Sequence, residues 1–155
     1  MLRDAISAFQ RWQYRGGRPG FSARISNRVA AIAVAAGLGP DSSATLEVRG
    51  RKTGRAISFP VVIADYRGDR YLVAMLGEET NWVLNLRANP RAVLLHNKKR
   101  EAVTVVEDFT DGRPAILRRY LELAPGARPF FPIGPRAPLT DFEPIVDDYP
   151  VFRLA

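Results

Sequence analysis

At Thr45 the hydrophobic period of this chain changes, and that change limits the folds open to it. Before it, apolar residues recur three or four apart: Ile6, Phe9 and Trp12, then Ile25, Val29, Ile32 and Ala36. These stripes predict two amphipathic helices, the first over residues 3–15 and the second from Ser22, a candidate N-cap. Gly16-Gly17-Arg18-Pro19-Gly20 ends the first, and Gly37 or Gly39 with Pro40 stops the second. From Thr45 onward apolar and polar residues alternate, the period of a half-buried strand.

Thr45–Arg49 and Ala56–Asp65 read as strands joined by the turn Gly50-Arg51-Lys52-Thr53-Gly54. Tyr66-Arg67-Gly68-Asp69 is a hairpin turn, after which Arg70–Met75 resumes as a strand. A loop from Leu76 to Thr80 leads into a short helix with Thr80 or Asn81 as N-cap and Asn89-Pro90 as its stop. Arg91–His96 and Arg100–Glu107 pair across Asn97-Lys98-Lys99. A helix over about residues 113–124 follows, capped by Asp111 or Thr110, with Ile116, Leu117, Tyr120 and Leu121 inward and Pro125-Gly126 as its end. Residues 125–150 hold seven of the twelve prolines, yet Phe130, Phe131, Ile133, Phe142 and Ile145 make this an ordered wrap with much to bury. Val151–Leu154 closes as a strand. The expected fold is α+β: a mostly antiparallel sheet of five or six strands closing as a barrel with helices around it. At 155 residues one domain is expected, with N-terminal helices over 1–40, a barrel core over 45–107, and a helix and C-terminal wrap over 108–155.

With 23 basic against 16 acidic residues the formal charge is +7, which calls for an acidic partner without choosing it. The chain has no cysteine, which excludes disulfides, thiolate catalysis and cysteine-ligated metals. Its single histidine, His96, rules out a two-histidine metal site, and no metal is expected. The most apolar run, residues 29–36, falls far short of the roughly 20 residues needed to cross a bilayer. Arg3, Asp4, Arg11 and Arg15 interrupt any signal-peptide core, so a cytoplasmic location is expected.

Arg49, Arg51, Lys52 and Arg55 place four cations and no anion around one glycine-flanked turn. Arginine offers a planar fork to phosphate or carboxylate, and lysine a mobile point charge. Thr53 adds a hydroxyl, while Gly50 and Gly54 permit positive φ and close approach to the backbone. Composition alone leaves this turn equally readable as a solvated hairpin tip or an anion clamp. It is not a P-loop, because Arg51 stands where that motif requires glycine before the lysine; no GxGxxG occurs either. Asn81 and Asn85, four apart, share a helical face beside Trp82, which is readable either as a core anchor or as a stacking platform. No aromatic interleaves with the Arg49–Arg55 cations, which speaks against a nucleic-acid partner.

Gly-Arg-Lys-Thr-Gly at 50–54, Pro60, and Gly77…Asn81-Trp82-Val-Leu-Asn85-Leu-Arg-Ala-Asn-Pro90 together resemble the deazaflavin-dependent nitroreductase and quinone reductase family. These are split-barrel proteins that use the reduced deazaflavin coenzyme F-420. The resemblance implies a split antiparallel barrel and an oxidoreductase that passes a hydride from that coenzyme to an apolar, electron-poor acceptor such as a quinone, enone or nitro compound. It implies that Arg51, Lys52 and Thr53 hold the phosphate or acidic tail. Pro60, Val61 and Val62 would line one side of the ring, Ala74, Met75, Leu76 and Gly77 would supply backbone donors, and Asn81, Trp82 and Asn85 the helix-side contacts. Two departures stand out: Ile57 where many relatives carry arginine, and Met75-Leu76 where active nitroreductases often carry Ser-Lys. They imply more apolar, backbone-mediated ring contacts.

The candidates for proton donor are Tyr120 and Tyr149, each equally suited to a core position. The alternative to an enzyme is a non-catalytic split-barrel binder of another flavin such as FMN, a tetrapyrrole or a lipid. The cations around the apolar stripe of residues 3–15 are compatible with peripheral membrane contact, and a homodimer is compatible with the chain.

Overall fold

The computed structural model describes residues 41–155, so the two helices expected over 3–15 and from Ser22, and the membrane contact assigned to the first, lie outside the described residues. Seven strands follow: β1 Ser43–Arg49, β2 Ala56–Val62, β3 Ala64–Tyr66, β4 Asp69–Val73, β5 Arg91–His96, β6 Lys99–Asp108 and β7 Val151–Leu154. Three helices join them: α1 Asn81–Ala88, α2 Arg113–Leu123 and the short α3 Leu139–Phe142.

The sheet order is β2-β1-β5-β6-β7-β4-β3, with every pairing antiparallel. Its two edge strands, β2 and β3, are separated in the chain by Ile63 alone. A flat sheet of this order would hold its edges roughly 29 Å apart, six strand spacings of about 4.8 Å, whereas one residue spans about 3.5 Å. The sheet therefore has to curl until its ends meet, and the barrel follows from connectivity.

This is also why there are seven strands where five or six are expected. Ala56–Asp65 reads as one strand, but it breaks at Ile63 and its halves serve opposite edges. β6 bridges the two halves of the barrel, pairing with β5 over residues 99–104 and with β7 over residues 105–108. Pro60, which cannot donate to a ladder, is tolerated because β2 is an edge strand.

Alternation along the strands separates two cores. Leu46, Val48, Leu72, Leu94, Val103, Val105 and Phe152 fill the barrel with Val83 and Leu86 of α1. Tyr71, Val73 and Val151 belong instead to a second cluster with Ile116, Leu117, Tyr120 and Leu121 of α2. All four α2 residues expected inward are buried. The proline-rich wrap is ordered as 3-10 turns at Pro125–Phe130 and Glu143–Asp148 around α3, with Phe142 fully buried. Burying such a side chain contributes roughly 2–3 kcal/mol, enough to hold a segment with little regular structure. The cap of α2 is Gly112 with no side-chain capping bond, not Asp111 or Thr110. The Thr110 hydroxyl donates to Asp108 Oδ1 at 2.7 Å and is engaged in the preceding turn.

Candidate functional site

The Gly50–Gly54 turn is closed by two backbone hydrogen bonds, Gly54 N to Gly50 O at 2.8 Å and Gly50 N to Arg55 O at 2.9 Å. Only Gly54 has positive φ, at 70°. At Gly50 an added Cβ would lie 3.2 Å from Ile57 Cδ1 and 3.2 Å from Thr53 Oγ1, a tight fit that these two side chains would have to relieve. Arg51, Lys52, Thr53 and Arg55 are exposed, and among the described residues none of the turn's four cations has a carboxylate partner. Thr53 Oγ1 accepts from Arg55 N at 3.3 Å, which leaves its own hydrogen to donate.

The second motif is tied to the first directly. Asn85 Oδ1 accepts from Arg51 N at 3.0 Å and from the Arg51 guanidinium at 2.9 Å, with Asn85 itself buried. Asn81 lies on the same helical face about 6 Å nearer the N-terminus of α1 and is partly exposed. Thr80 occupies the N-cap position, but its hydroxyl donates backward to Gly77 O at 2.7 Å and makes no cap bond. The first-turn N–H groups of α1 are thus left for a ligand or solvent.

The preceding loop is drawn tight by Ala74 N donating to Pro150 O at 2.9 Å and Gly77 N to Ala74 O at 3.1 Å. Of the four residues expected to supply backbone donors, Ala74 and Gly77 have their N–H groups engaged in this way, while those of Met75 and Leu76 donate to no other described backbone group. Gly77 needs its positive φ of 91°. Trp82 stacks on Phe59 of β2 with centroids 5.8 Å apart and tilts onto Phe152 at 5.5 Å. Trp82 therefore packs against the barrel core. Pro60, Val61 and Val62 are all partly exposed but divided by the strand period: Val61 packs against the barrel core and Val62 against the outer one.

The two tyrosines lie in the outer core. Tyr120 is buried there, and burial alone pushes its hydroxyl pKa well above the ordinary value. Tyr149 stacks on Phe131 at 3.9 Å and donates its hydroxyl hydrogen to Phe130 O at 2.6 Å. Burial, with Asp148 second, raises its pKa too. His96 donates from Nε2 to the Asp41 carbonyl, a strand-end contact away from the cation turn.

One positioning device was not legible in the sequence. Arg87, in the last turn of α1, forks onto Glu107 of β6 through Nε at 2.9 Å and a terminal nitrogen at 2.7 Å, and its other nitrogen reaches Glu78 of the loop at 2.8 Å. The only available signal was a basic residue near a helix C-terminus, which does not name its partners. The clamp holds the helix, the loop and the barrel wall together, and it borders a cleft of about 200 Å³ lined by Glu78, Glu107, Phe109, Arg113 and Asp147.

A sequence model of the family described as F420H(2)-dependent quinone reductase matches residues 23–127. Among solved structures, an F420-H2 dependent reductase, FDR-A, aligns with a TM-score of 0.53 at 20% identity, covering 74% of this chain and 94% of its own. A structure described as a domain-swapped dimer gives a TM-score of 0.54 at 18% identity over 83% of this chain and 92% of its own. A heme binding protein from Mycobacterium smegmatis gives 0.51 at 15% identity, over 88% of this chain and 51% of its own. At these identities the likeness is one of fold, and it agrees with the split barrel. No curated protein matches the chain.

Proposed function

This chain belongs to the F420H(2)-dependent quinone reductase family, and from that premise we propose that the Gly50–Gly54 turn and the start of α1 form the seat of its coenzyme, with a quinone as the acceptor. The chain is an oxidoreductase that depends on the reduced deazaflavin coenzyme, and the family match gives no support to FMN in its place. The single observation that carries the site assignment is the cluster of cations around the turn, exposed and without carboxylate partners among the described residues. Elsewhere arginines 70, 87, 100, 113 and 119 are paired with acids. Cations left unpaired on a hydrogen-bonded turn suit a polyanionic ligand such as this coenzyme, with its phosphate and acidic tail.

Lys52, the Arg51 guanidinium and the Thr53 hydroxyl would hold those anionic groups. Asn81, the first-turn N–H groups of α1, and the amides of Met75 and Leu76 would meet the polar edge of the ring. Trp82 acts through Phe59, bracing β2 and hence Pro60 and Val61. When bound, the coenzyme supplies a hydride from its ring carbon. The chain's part is alignment and exclusion of water. The acceptor's proton comes from solvent, because Tyr120 is buried on the inward face of α2 and the Tyr149 hydrogen is held by the Phe130 carbonyl. A homodimer is compatible with this reading, and one structure of similar fold is a domain-swapped dimer.

Titration of the full chain with F-420, followed by oxidation of the reduced coenzyme in the presence of a water-soluble quinone, tests the reading. Saturable binding and quinone-dependent loss of reduced-coenzyme absorbance are expected. Absence of binding at tens of micromolar would sink it.

A further inference from the structure

Asn85 has a chemistry that a simple ligand contact does not explain. Its carboxamide oxygen is shared by two donors from one residue 34 positions away, the backbone amide of Arg51 at 3.0 Å and its guanidinium at 2.9 Å. The side chain is not free to swing, since Asn85 is only 4% exposed. Pinning both ends of Arg51 fixes the path of the turn and the direction of its charge. The acceptor is also neutral. A carboxylate at the same place could accept the same two hydrogen bonds but would cancel the charge it orients.

We propose that Asn85 is a positioning residue: its carboxamide oxygen aims the Arg51 guanidinium for an anion while leaving its positive charge uncompensated. This rests on the reading that the turn holds the phosphate or acidic tail. The two turn donors occupy the Asn85 oxygen, so acceptance of a ligand hydrogen bond on this helical face falls to Asn81, whose side chain has no hydrogen bond to another described residue. Specificity for polyanions then depends on a neutral buried amide as much as on the exposed cations. Sequence spacing puts Asn81 and Asn85 on one face but cannot assign them these different tasks.

The experiment compares the full chain with its Asn85→Asp, Asn85→Ala, Arg51→Ala and Arg51→Ala/Asn85→Ala variants. Amide hydrogen exchange at Arg51 is read without coenzyme, and F-420 affinity is read over a range of salt. Asn85→Asp keeps both acceptor bonds, so the Arg51 amide stays protected while F-420 Kd rises about tenfold and its salt dependence flattens. Asn85→Ala loses the protection and weakens binding, but costs less in the Arg51→Ala background, where only the backbone bond to residue 51 remains to be lost. In both Asn85 variants KM for the coenzyme rises while kcat at saturation is unchanged. Wild-type affinity in Asn85→Asp, or fully additive losses in the double variant, overturns the proposal and returns Asn85 to the ligand. Failure of the unaltered chain to bind F-420 overturns the reading of the turn, and with it the anion-aiming role. Loss of Arg51 amide protection in Asn85→Ala would still establish the hydrogen-bonded coupling by itself.

Discussion

Arg87 and Glu107 meet in a parallel fork, Nε to one carboxylate oxygen at 2.9 Å and a terminal nitrogen to the other at 2.7 Å. This joins the end of the site helix to the strand that bridges the two halves of the barrel. A third bond, from Arg87 to Glu78, draws the preceding loop into the same clamp. Arg87 is 34% exposed and Glu107 16%, so solvent weakens the pair without dissolving it. Arg87→Met, which keeps the stem and removes the fork, should cost about 1 kcal/mol by urea denaturation. The deficit should shrink in high salt, since screening weakens the wild-type pair.

Trp82 lies between Phe59 and Phe152. Trp82→Ala should lower unfolding free energy by about 3 kcal/mol, the cost of a large aromatic lost from a packed site. Trp82→Phe should recover most of it. If Trp82→Ala leaves stability unchanged and abolishes only coenzyme binding, the residue is a platform for the ring instead.

Gly77 combines a φ of 91° with a gap in which an added Cβ would lie 3.3 Å from the Asp148 carbonyl oxygen. Gly77→Ala should destabilise by about 2 kcal/mol and raise KM for the coenzyme, because the strained loop is the one that presents the Met75 and Leu76 amides. Gly126 has nothing within 4 Å of the corresponding position. Gly126→Ala should therefore melt within a degree or two of the unaltered chain.

Lys52 is exposed and has no partner among the described residues. Lys52→Ala should leave folding within about 0.5 kcal/mol of wild type. Coenzyme Kd should rise about tenfold with kcat at saturation unchanged, as expected for loss of one charge-assisted contact to the bound anion.

Alkaline pH should destabilise the fold through a tyrosine of the outer core. The Tyr120 hydroxyl has a folded-state pKa above its ordinary 10.0 because of burial. The unfolded chain therefore loses this proton at a lower pH than the folded chain does. The residue's contribution is complete below pH 10 and declines as pH rises toward the folded value, by roughly 1.4 kcal/mol per pH unit. Tyr120→Phe should flatten the decline in urea denaturation measured between about pH 8 and 11. An unchanged slope would mean that Tyr120 does not carry the effect.

Periodicity and punctuation made much of the framework legible. β5 spans Arg91–His96, the predicted bounds, because a clean alternation is flanked by Asn-Pro and a polar turn. The inward face of α2 was readable for the same reason: its apolar residues recur at helical spacing. What escaped was any feature set by contacts between distant segments. The break at Ile63 leaves no local trace, since Val61-Val62-Ile63-Ala64 is continuously apolar and no glycine or proline marks the change of edge. Thr80 resembles an ordinary cap, but in the folded chain the nearby Gly77 carbonyl takes its hydroxyl.

Most of the elements, the cation-bearing turn and the asparagine face follow from local sequence, because strand alternation, helix spacing and turn chemistry act over a few residues. How these parts act on one another depends on the folded chain. It brought Arg51 onto Asn85 across 34 positions and set Trp82 beside Phe59. The physical reason is closure: one residue between β2 and β3 obliges seven strands to curl. The contacts that follow depend on that curvature, to which no local stretch of sequence refers.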